Sequence, residues 1–132
     1  MKHILKLEDG RIEPIKDLMK NEKEFAHRRI LVDKDIGDAE SVTFGWCAFE
    51  PKTSFHKKHI HPNAEEVFYV LKGKGIGGVG EGTEEREIVA GDTVWAPKGT
   101  VHWLYNPFEA PCEIVFLYTA PSLEAAGYEI VE

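Results

Sequence analysis

The chain has 132 residues, which is the size of one domain that buries a substantial core without disulfides to hold it together. Its 16 basic and 23 acidic residues give a formal charge of −7 at pH 7, which argues against a nucleic-acid or membrane partner and favours a small molecule. No apolar run approaches the roughly 18 residues of a membrane span, and the N-terminus carries no cleavage signal, so we expect a cytoplasmic protein.

Two cysteines, Cys47 and Cys112, each lie in an apolar run, far from any second cysteine along the chain. This arrangement is typical of buried free thiols rather than of a disulfide. The cysteines therefore favour a reducing compartment.

The first residues predict two short elements. Ile4 to Leu7 is apolar enough for a short strand. Ile15, Leu18 and Met19 stand at helical spacing after Pro14, which predicts one or two turns of helix.

Two stronger strand signals follow, at Arg28 to Val32 and at Val42 to Phe49, separated by a polar turn. Alternation along the second strand gives it an apolar face that we expect to be buried, made of Val42, Phe44, Trp46 and Ala48.

Imidazoles and carboxylates are crowded into the stretch from His59 to Glu66. On a strand, His59 and His61 leave the same face, so both rings can converge on one cation. The turn residues at 62–64 and the apolar run from Glu66 to Leu71 predict a second strand that returns beside the first and brings a carboxylate opposite. Two histidines and a carboxylate suit Fe, Mn, Ni, Co or Zn. The alternative is a pair of exposed histidines beside solvated acids.

The segment from Gly73 to Gly82 is dense in glycine and matches the dinucleotide-binding pattern G-x-G-x-x-G at Gly73, Gly75 and Gly78. A phosphate cradle needs such glycines to open a helix, whereas here the next signal is a strand at Glu85 to Val89. The glycines therefore predict hairpins and no nucleotide site.

Further strands are predicted at Thr93 to Ala96, Val101 to Tyr105 and Glu113 to Tyr118. A single helical turn from Pro121 to Gly127 has Ser122 as its N-cap. About nine short strands with almost no helix predict an all-β sandwich or barrel, for which a double-sheet jelly roll is the natural candidate.

Two motifs between about residues 55 and 106 resemble those of the cupin superfamily. The first has a His-x-His pair, four residues, a glutamate, six residues and a glycine, at His59, His61, Glu66 and Gly73. The second has its fixed residues at Gly91, Pro97, Gly99, His102 and Asn106. The family's glycine before the first histidine is absent, and Thr53 takes its place.

The resemblance implies a single cupin domain over residues 1–132, a double-stranded β-helix with short terminal extensions. It also implies that His59, His61, Glu66 and His102 bind one divalent transition metal, Mn, Fe, Ni, Co or Zn.

Two other residues compete for a place in the site. Glu65 lies beside Glu66, but only Glu66 keeps the six-residue gap to Gly73 and shares a strand face with Phe68. His56 is out of phase with the two strand histidines, and we interpret it as a rim or surface residue.

The resemblance implies an enzyme acting on a small oxygen-rich substrate, by dioxygenase, decarboxylase, isomerase or lyase chemistry, or alternatively a non-catalytic binding or sensor protein. Candidate bases by residue type are Tyr105, Tyr118, His56 and Glu50. The pocket lining is expected from the buried face of the strand at Val42 to Phe49 and from Phe116 or Tyr118.

The apolar stripe of Val67, Tyr69 and Leu71 faces away from the expected site and needs a cover. Small cupins commonly form homodimers, so the resemblance implies one here.

Overall fold

Antiparallel strands make up most of the described chain, which comprises residues 3–13, 26–52 and 58–132 of a computed structural model. A 3-10 turn at Leu7–Asp9 comes first, and a helical turn α1 (Leu123–Ala126) lies between the last two strands. The strands of these residues are β1 (Arg11–Ile12), β2 (Ala26–Val32), β3 (Thr43–Phe49), β4 (His59–Ile60), β5 (Glu66–Lys72), β6 (Lys74–Val79), β7 (Arg86–Val89), β8 (Thr93–Ala96), β9 (His102–Tyr105), β10 (Cys112–Tyr118) and β11 (Glu129–Ile130).

The strands form two sheets that face each other. One has the order β1-β2-β3-β10-β5-β8 and the other β11-β4-β9-β6-β7. In each sheet, some strands that pair with each other are far apart in sequence, such as β3 and β10. This arrangement is typical of a jelly roll. The predicted all-β jelly roll is therefore confirmed.

The core lies between the sheets, where the inward residues of the central strands are buried. Glu66, Phe68 and Val70 alternate inward along β5, while Tyr69 and Leu71 are exposed on the outer face. The strand parity predicted for this segment is confirmed.

The glycine-dense segment forms β6, which pairs with β7 as the two arms of a hairpin and with β9 on its other side. No helix follows these glycines. Gly77 lies so close to β9 that a Cβ atom would overlap the carbonyl oxygen of Trp103. The dinucleotide pattern here therefore reflects close strand packing.

The strand predicted at Ile4 to Leu7 is wrong. Asp9 accepts a hydrogen bond from the backbone N–H of Lys6 at 2.9 Å, and its own N–H donates to the carbonyl of Lys6 at 3.0 Å. This local turn satisfies the backbone without a partner strand, so extended pairing starts later, at β1.

The face predicted to be buried on β3 is the outer one. The inward face carries Thr43, Gly45, Cys47 and Phe49, whereas Phe44 and Trp46 lie half-buried on the outer face, where Ala48 is buried as predicted. Both faces of this strand are largely apolar, so alternation alone did not choose between them. Gly45 on the inward face leaves room for the ring of Phe116 from β10.

Both cysteines are buried free thiols on adjacent strands β3 and β10, as predicted. Burial raises the pKa of Cys47 to about 12 and that of Cys112 to about 11.

The predicted C-terminal helical turn is confirmed, since the Ser122 hydroxyl accepts from the N–H of Ala125 and Gly127 ends the turn. The helix expected around Ile15 to Met19 lies outside the described residues. No helix among the described residues is long and apolar enough to cross a membrane.

Candidate metal centre

Four polar side chains meet between the two sheets. His59 and His102 are directly opposite on β4 and β9, while Glu66 begins β5 in the other sheet. β4 ends at Ile60, one residue before His61. The rings of His59 and His61 nevertheless lie close together, with centroids 4.9 Å apart. The His-x-His pair thus points both rings inward, as its spacing predicts.

The cluster is compact and closed to solvent. His59, His61, Glu66 and His102 are 1%, 5%, 7% and 3% exposed. One ligand atom of each lies within 4.8 Å of the others. Ligands about 2.0–2.2 Å from one ion are at most about 4.4 Å apart, so small side-chain shifts would bring all four to a single ion.

Backbone carbonyls fix how two of the imidazoles point. Nδ1 of His61 lies 2.7 Å from the carbonyl oxygen of Gly127, and Nδ1 of His102 lies 2.9 Å from that of Thr100. A carbonyl accepts and never donates, so each Nδ1 carries the proton. Both Nε2 atoms then face Glu66, at 3.4 Å from Oε1 for His61 and 2.8 Å for His102.

The electrostatics of the cluster keep the Glu66 carboxyl in its charged form. Burial alone would raise the pKa of Glu66, but the hydrogen bond with His102 and the nearby ring of His61 hold it well below its usual range. Burial lowers the pKa of His102, yet the carboxylate of Glu66 outweighs it and raises that pKa. The carboxylate is therefore charged, and its partner is either a second proton on His102 or a metal ion.

Nε2 of His61 shows that the residues fit a metal. It is buried and forms no hydrogen bond with any described residue. Leaving such a group unpaired costs about 1–3 kcal/mol, which an ion accepting its lone pair would offset. Imidazole nitrogens with a carboxylate oxygen are suitable ligands for Fe, Mn, Ni, Co or Zn.

Tyr118 lies beside the cluster. It is opposite Glu66 across β10 and β5, and its ring centroid is 4.7 Å from that of His61. Burial and the nearby carboxylate of Glu66 raise the pKa of Tyr118 well above its usual value. Tyr118 is thus a neutral side chain that packs against the cluster.

Glu65 and Glu66 have different surroundings. The side chain of Glu65 is exposed and accepts a hydrogen bond from Nε1 of Trp95 at 3.0 Å. The structure therefore places Glu66 in the cluster and Glu65 on the outer face.

The other base candidates have partners elsewhere. Glu50 lies 2.9 Å from Nε2 of His27, and the hydroxyl of Tyr105 donates to Glu85 at 3.0 Å. His56 lies outside the described residues. Among the described candidates, Tyr118 alone contacts the cluster.

The second sequence motif builds the turn that supports the histidines. Gly99 has φ of +73°, which glycine adopts without strain, and its N–H donates to the carbonyl of His61 at 3.0 Å. The N–H of Thr100 donates to the carbonyl of Pro97 at 3.0 Å, and its own carbonyl orients His102.

Sequence reasoning missed two neighbours of the cluster. The carbonyl of Gly127 accepts from His61 across 66 residues of sequence, and the ring centroid of Tyr128 lies 4.8 Å from that of His59. A backbone carbonyl has no residue-type signal, and Tyr128 follows a glycine in a short polar tail without periodicity. No pattern in the sequence pointed to either one.

The cupin domain family model matches residues 45–118, which include both motifs and all four cluster residues. The chain is a cupin. This confirms the resemblance seen in the two motifs.

Solved structures of other proteins share the fold of this cupin. The polyketide cyclase RemF of Streptomyces resistomycificus superposes with a TM-score of 0.78 at 18% identity, over 100% of this chain and 87% of RemF. A recombinant oxalate oxidase in complex with glycolate gives a TM-score of 0.67 at 22% identity, over 80% of this chain and 55% of the oxidase. At these identities the similarity concerns the fold.

An uncharacterised protein of Methanocaldococcus jannaschii is 34% identical over 64 residues, which are 48% of this cupin and 47% of that protein. The match therefore spans about half the length of this curated relative.

Proposed function

We propose that this cupin is a metal-dependent enzyme that acts on a small, oxygen-rich substrate such as a carboxylic acid, a sugar derivative or a catechol-like ring. One divalent transition ion, Mn, Fe, Ni, Co or Zn, is bound by His59, His61, Glu66 and His102. The observation that carries this proposal is the buried, unpaired Nε2 of His61 beside the charged carboxylate of Glu66.

The donor set suits Lewis-acid chemistry. Three neutral imidazoles and one carboxylate leave a divalent ion one net positive charge and, in octahedral geometry, two positions open to substrate oxygens. The chain's own residues orient the site, since the carbonyl of Thr100 fixes the tautomer of His102 and the ring of Tyr118 packs against that of His61. Burial excludes bulk water and so strengthens every charge interaction there.

The substrate class is supported by the oxalate oxidase that was solved with glycolate. A small hydroxy acid offers two oxygens that match two open positions on a metal. Dioxygenase, decarboxylase, isomerase and lyase reactions on such a ligand set differ in the groups around the ligands rather than in the ligands themselves.

The metal is tested first. Purified protein analysed by elemental mass spectrometry should contain close to one transition-metal ion per chain, and the double variant His59→Ala, His61→Ala should lose it, because two of the four donors are gone. His27→Ala is the matched control, since His27 pairs with Glu50 away from the cluster. Equal metal content in the double variant and the wild type would exclude this site.

Turnover separates an enzyme from a binding protein. The metal-loaded protein is incubated with small acids, sugar acids and catechols, with and without O₂, while substrate loss and oxygen uptake are followed. We expect turnover that Glu66→Gln and His102→Ala both abolish while circular dichroism stays unchanged. A compound that binds at the metal and is recovered unchanged, under air and anaerobically, would instead identify a binding or sensor cupin.

We further propose that two copies of this cupin pair through the outer face of the six-stranded sheet. Tyr69 and Leu71 on β5 are 43% and 44% exposed, and Trp95 on the adjacent β8 is 57% exposed. A contiguous apolar patch of this kind favours a protein partner, and a two-fold dimer covers the same patch on both copies.

The free thiols support the cytoplasm as the compartment.

A further inference from the structure

The residues from Ala126 to Val131, here called the C-terminal strap, follow the segment that carries the first two histidines. At one end, the N–H of Asn63 donates to the carbonyl of Ala126 at 3.0 Å. At the other, the N–H of Val131 donates to the carbonyl of Lys58 at 3.0 Å. Between these ends, β11 pairs with β4. The strap is therefore in backbone contact with this segment on both sides of the two histidines.

Two strap residues contact the histidines themselves. The carbonyl of Gly127 accepts from Nδ1 of His61 at 2.7 Å. The ring of Tyr128 is tilted by 37° against that of His59, with centroids 4.8 Å apart, and lies 5.9 Å from that of His61. The ring is partly exposed while its hydroxyl oxygen is buried, so Tyr128 stands between solvent and two of the four cluster residues.

Gly127 is well suited to this contact. Its φ of +78° lies in the region that favours glycine, and a Cβ atom there would come within 2.8 Å of Cγ of Pro62. A larger residue would push the strap away from the turn after His61 and move the carbonyl that the imidazole uses.

We propose that the C-terminal strap is a positioning element of the metal site. Gly127 holds His61 in the tautomer that presents Nε2 to the metal, and the ring of Tyr128 holds the plane of His59. The inference rests on the proposed metal site and adds two positioning residues to it. Partners that orient metal-binding histidines typically change metal affinity by about 10–100-fold.

Thermodynamic linkage gives a test that a merely structural strap would fail. If the strap orients the ligands, zinc bound at the cluster must stabilise the strap by the same free energy. We therefore expect hydrogen exchange at the amides of 127–131 to slow by about tenfold or more when zinc is added to the apo-protein. The edge strand β7 is the internal control, because it lies at the far side of the same sheet and should exchange at an unchanged rate.

Variants of Tyr128 test the same inference by measuring how a change in the strap alters metal binding. Zinc affinity, measured by chelator competition, should fall by about tenfold or more in Tyr128→Ala and recover in Tyr128→Phe, which keeps the ring. The absorption spectrum of the cobalt-substituted protein should differ from that of the wild type in Tyr128→Ala and match it in Tyr128→Phe. Phe108→Ala is the control, because this aromatic ring lies against the ammonium group of Lys74 and outside the cluster.

Wild-type affinity and spectrum in Tyr128→Ala, or strap exchange that zinc leaves unchanged, would overturn the role of the strap while the metal site stands. A wild-type protein that binds no zinc and no cobalt would overturn the metal site and the strap together. The exchange measurement needs no variant, so the inference stays testable if Tyr128→Ala does not fold.

Discussion

Asp33 is a buried carboxylate, 2% exposed, that organises the turn after β2. It accepts from the N–H groups of Asp35 and Ile36, both at 2.9 Å, and from the guanidinium of Arg11 at 2.7 Å. Burial alone would raise the pKa of Asp33, but these donors outweigh burial and lower it below its usual value. A lowered pKa in the folded state stabilises the fold at pH above the unfolded pKa, and this stabilisation is lost as pH falls through the folded pKa.

Replacing Asp33 by asparagine should therefore lower the free energy of unfolding by about 1–3 kcal/mol at pH 7. The difference from the wild type should shrink as pH falls below about 4 and through the lowered folded pKa, because protonation then removes the same charge from the wild type. Urea unfolding at several pH values measures both effects. Asp35→Asn is the control, since its side chain is exposed. A difference that stays constant across this pH range would show that the charge of Asp33 contributes nothing.

Individual residues also show how far sequence reasoning reached. His59 and His61 were found from strand geometry, whereas Glu66 and His102 were chosen through the resemblance to the cupin motifs, and the structure brings all four together. Gly127 and Tyr128 were not found, because their roles depend on a backbone carbonyl and on a contact across the fold. The contacts that give them a role form only when the C-terminal residues fold against the segment of the two histidines.

At the scale of the element, β6 shows why glycine was needed in place of side chains. A Cβ atom on Gly77 would meet the backbone of β9, and backbone cannot move aside as a flexible side chain can. Gly45 on β3 shows a similar close approach, since a Cβ atom there would overlap the carbonyl oxygen of Arg29 and the ring of Phe116. Periodicity predicted where these strands run, whereas the distance between neighbouring strands was not encoded in any local pattern.

Gly77→Ala should destabilise this cupin by about 1–3 kcal/mol, because the added methyl group forces β6 away from β9. Gly78→Ala is the matched control on the same strand, because neither glycine has a positive φ and a Cβ atom at Gly78 would meet the side chain of Trp103 rather than backbone. The control should cost less, because a side chain can shift where the backbone of a paired strand cannot. Denaturant unfolding compares the two, and a wild-type midpoint for Gly77→Ala would contradict the close approach of the strands.

At the scale of the whole molecule, the outer face of the six-stranded sheet exposes the apolar side chains of Tyr69, Leu71 and Trp95. Light scattering at micromolar concentration should report about twice the chain mass of 14.9 kDa. Replacing both Tyr69 and Leu71 by glutamate should give a monomer, because the charges would be buried in the proposed interface. Val89→Glu, an exposed apolar position on the other sheet, should leave the dimer intact. A monomeric wild type would reject the pairing.

The buried thiols of Cys47 and Cys112 provide a chemical measure of how often the barrel opens. Both lie on the central strands of the six-stranded sheet, so fraying of an edge strand does not expose them. Their raised pKa values keep them protonated at neutral pH, and a protonated thiol does not attack a maleimide. Labelling therefore requires the core around the two thiols to open, and its rate follows the opening of the barrel that encloses His59, His61, Glu66 and His102.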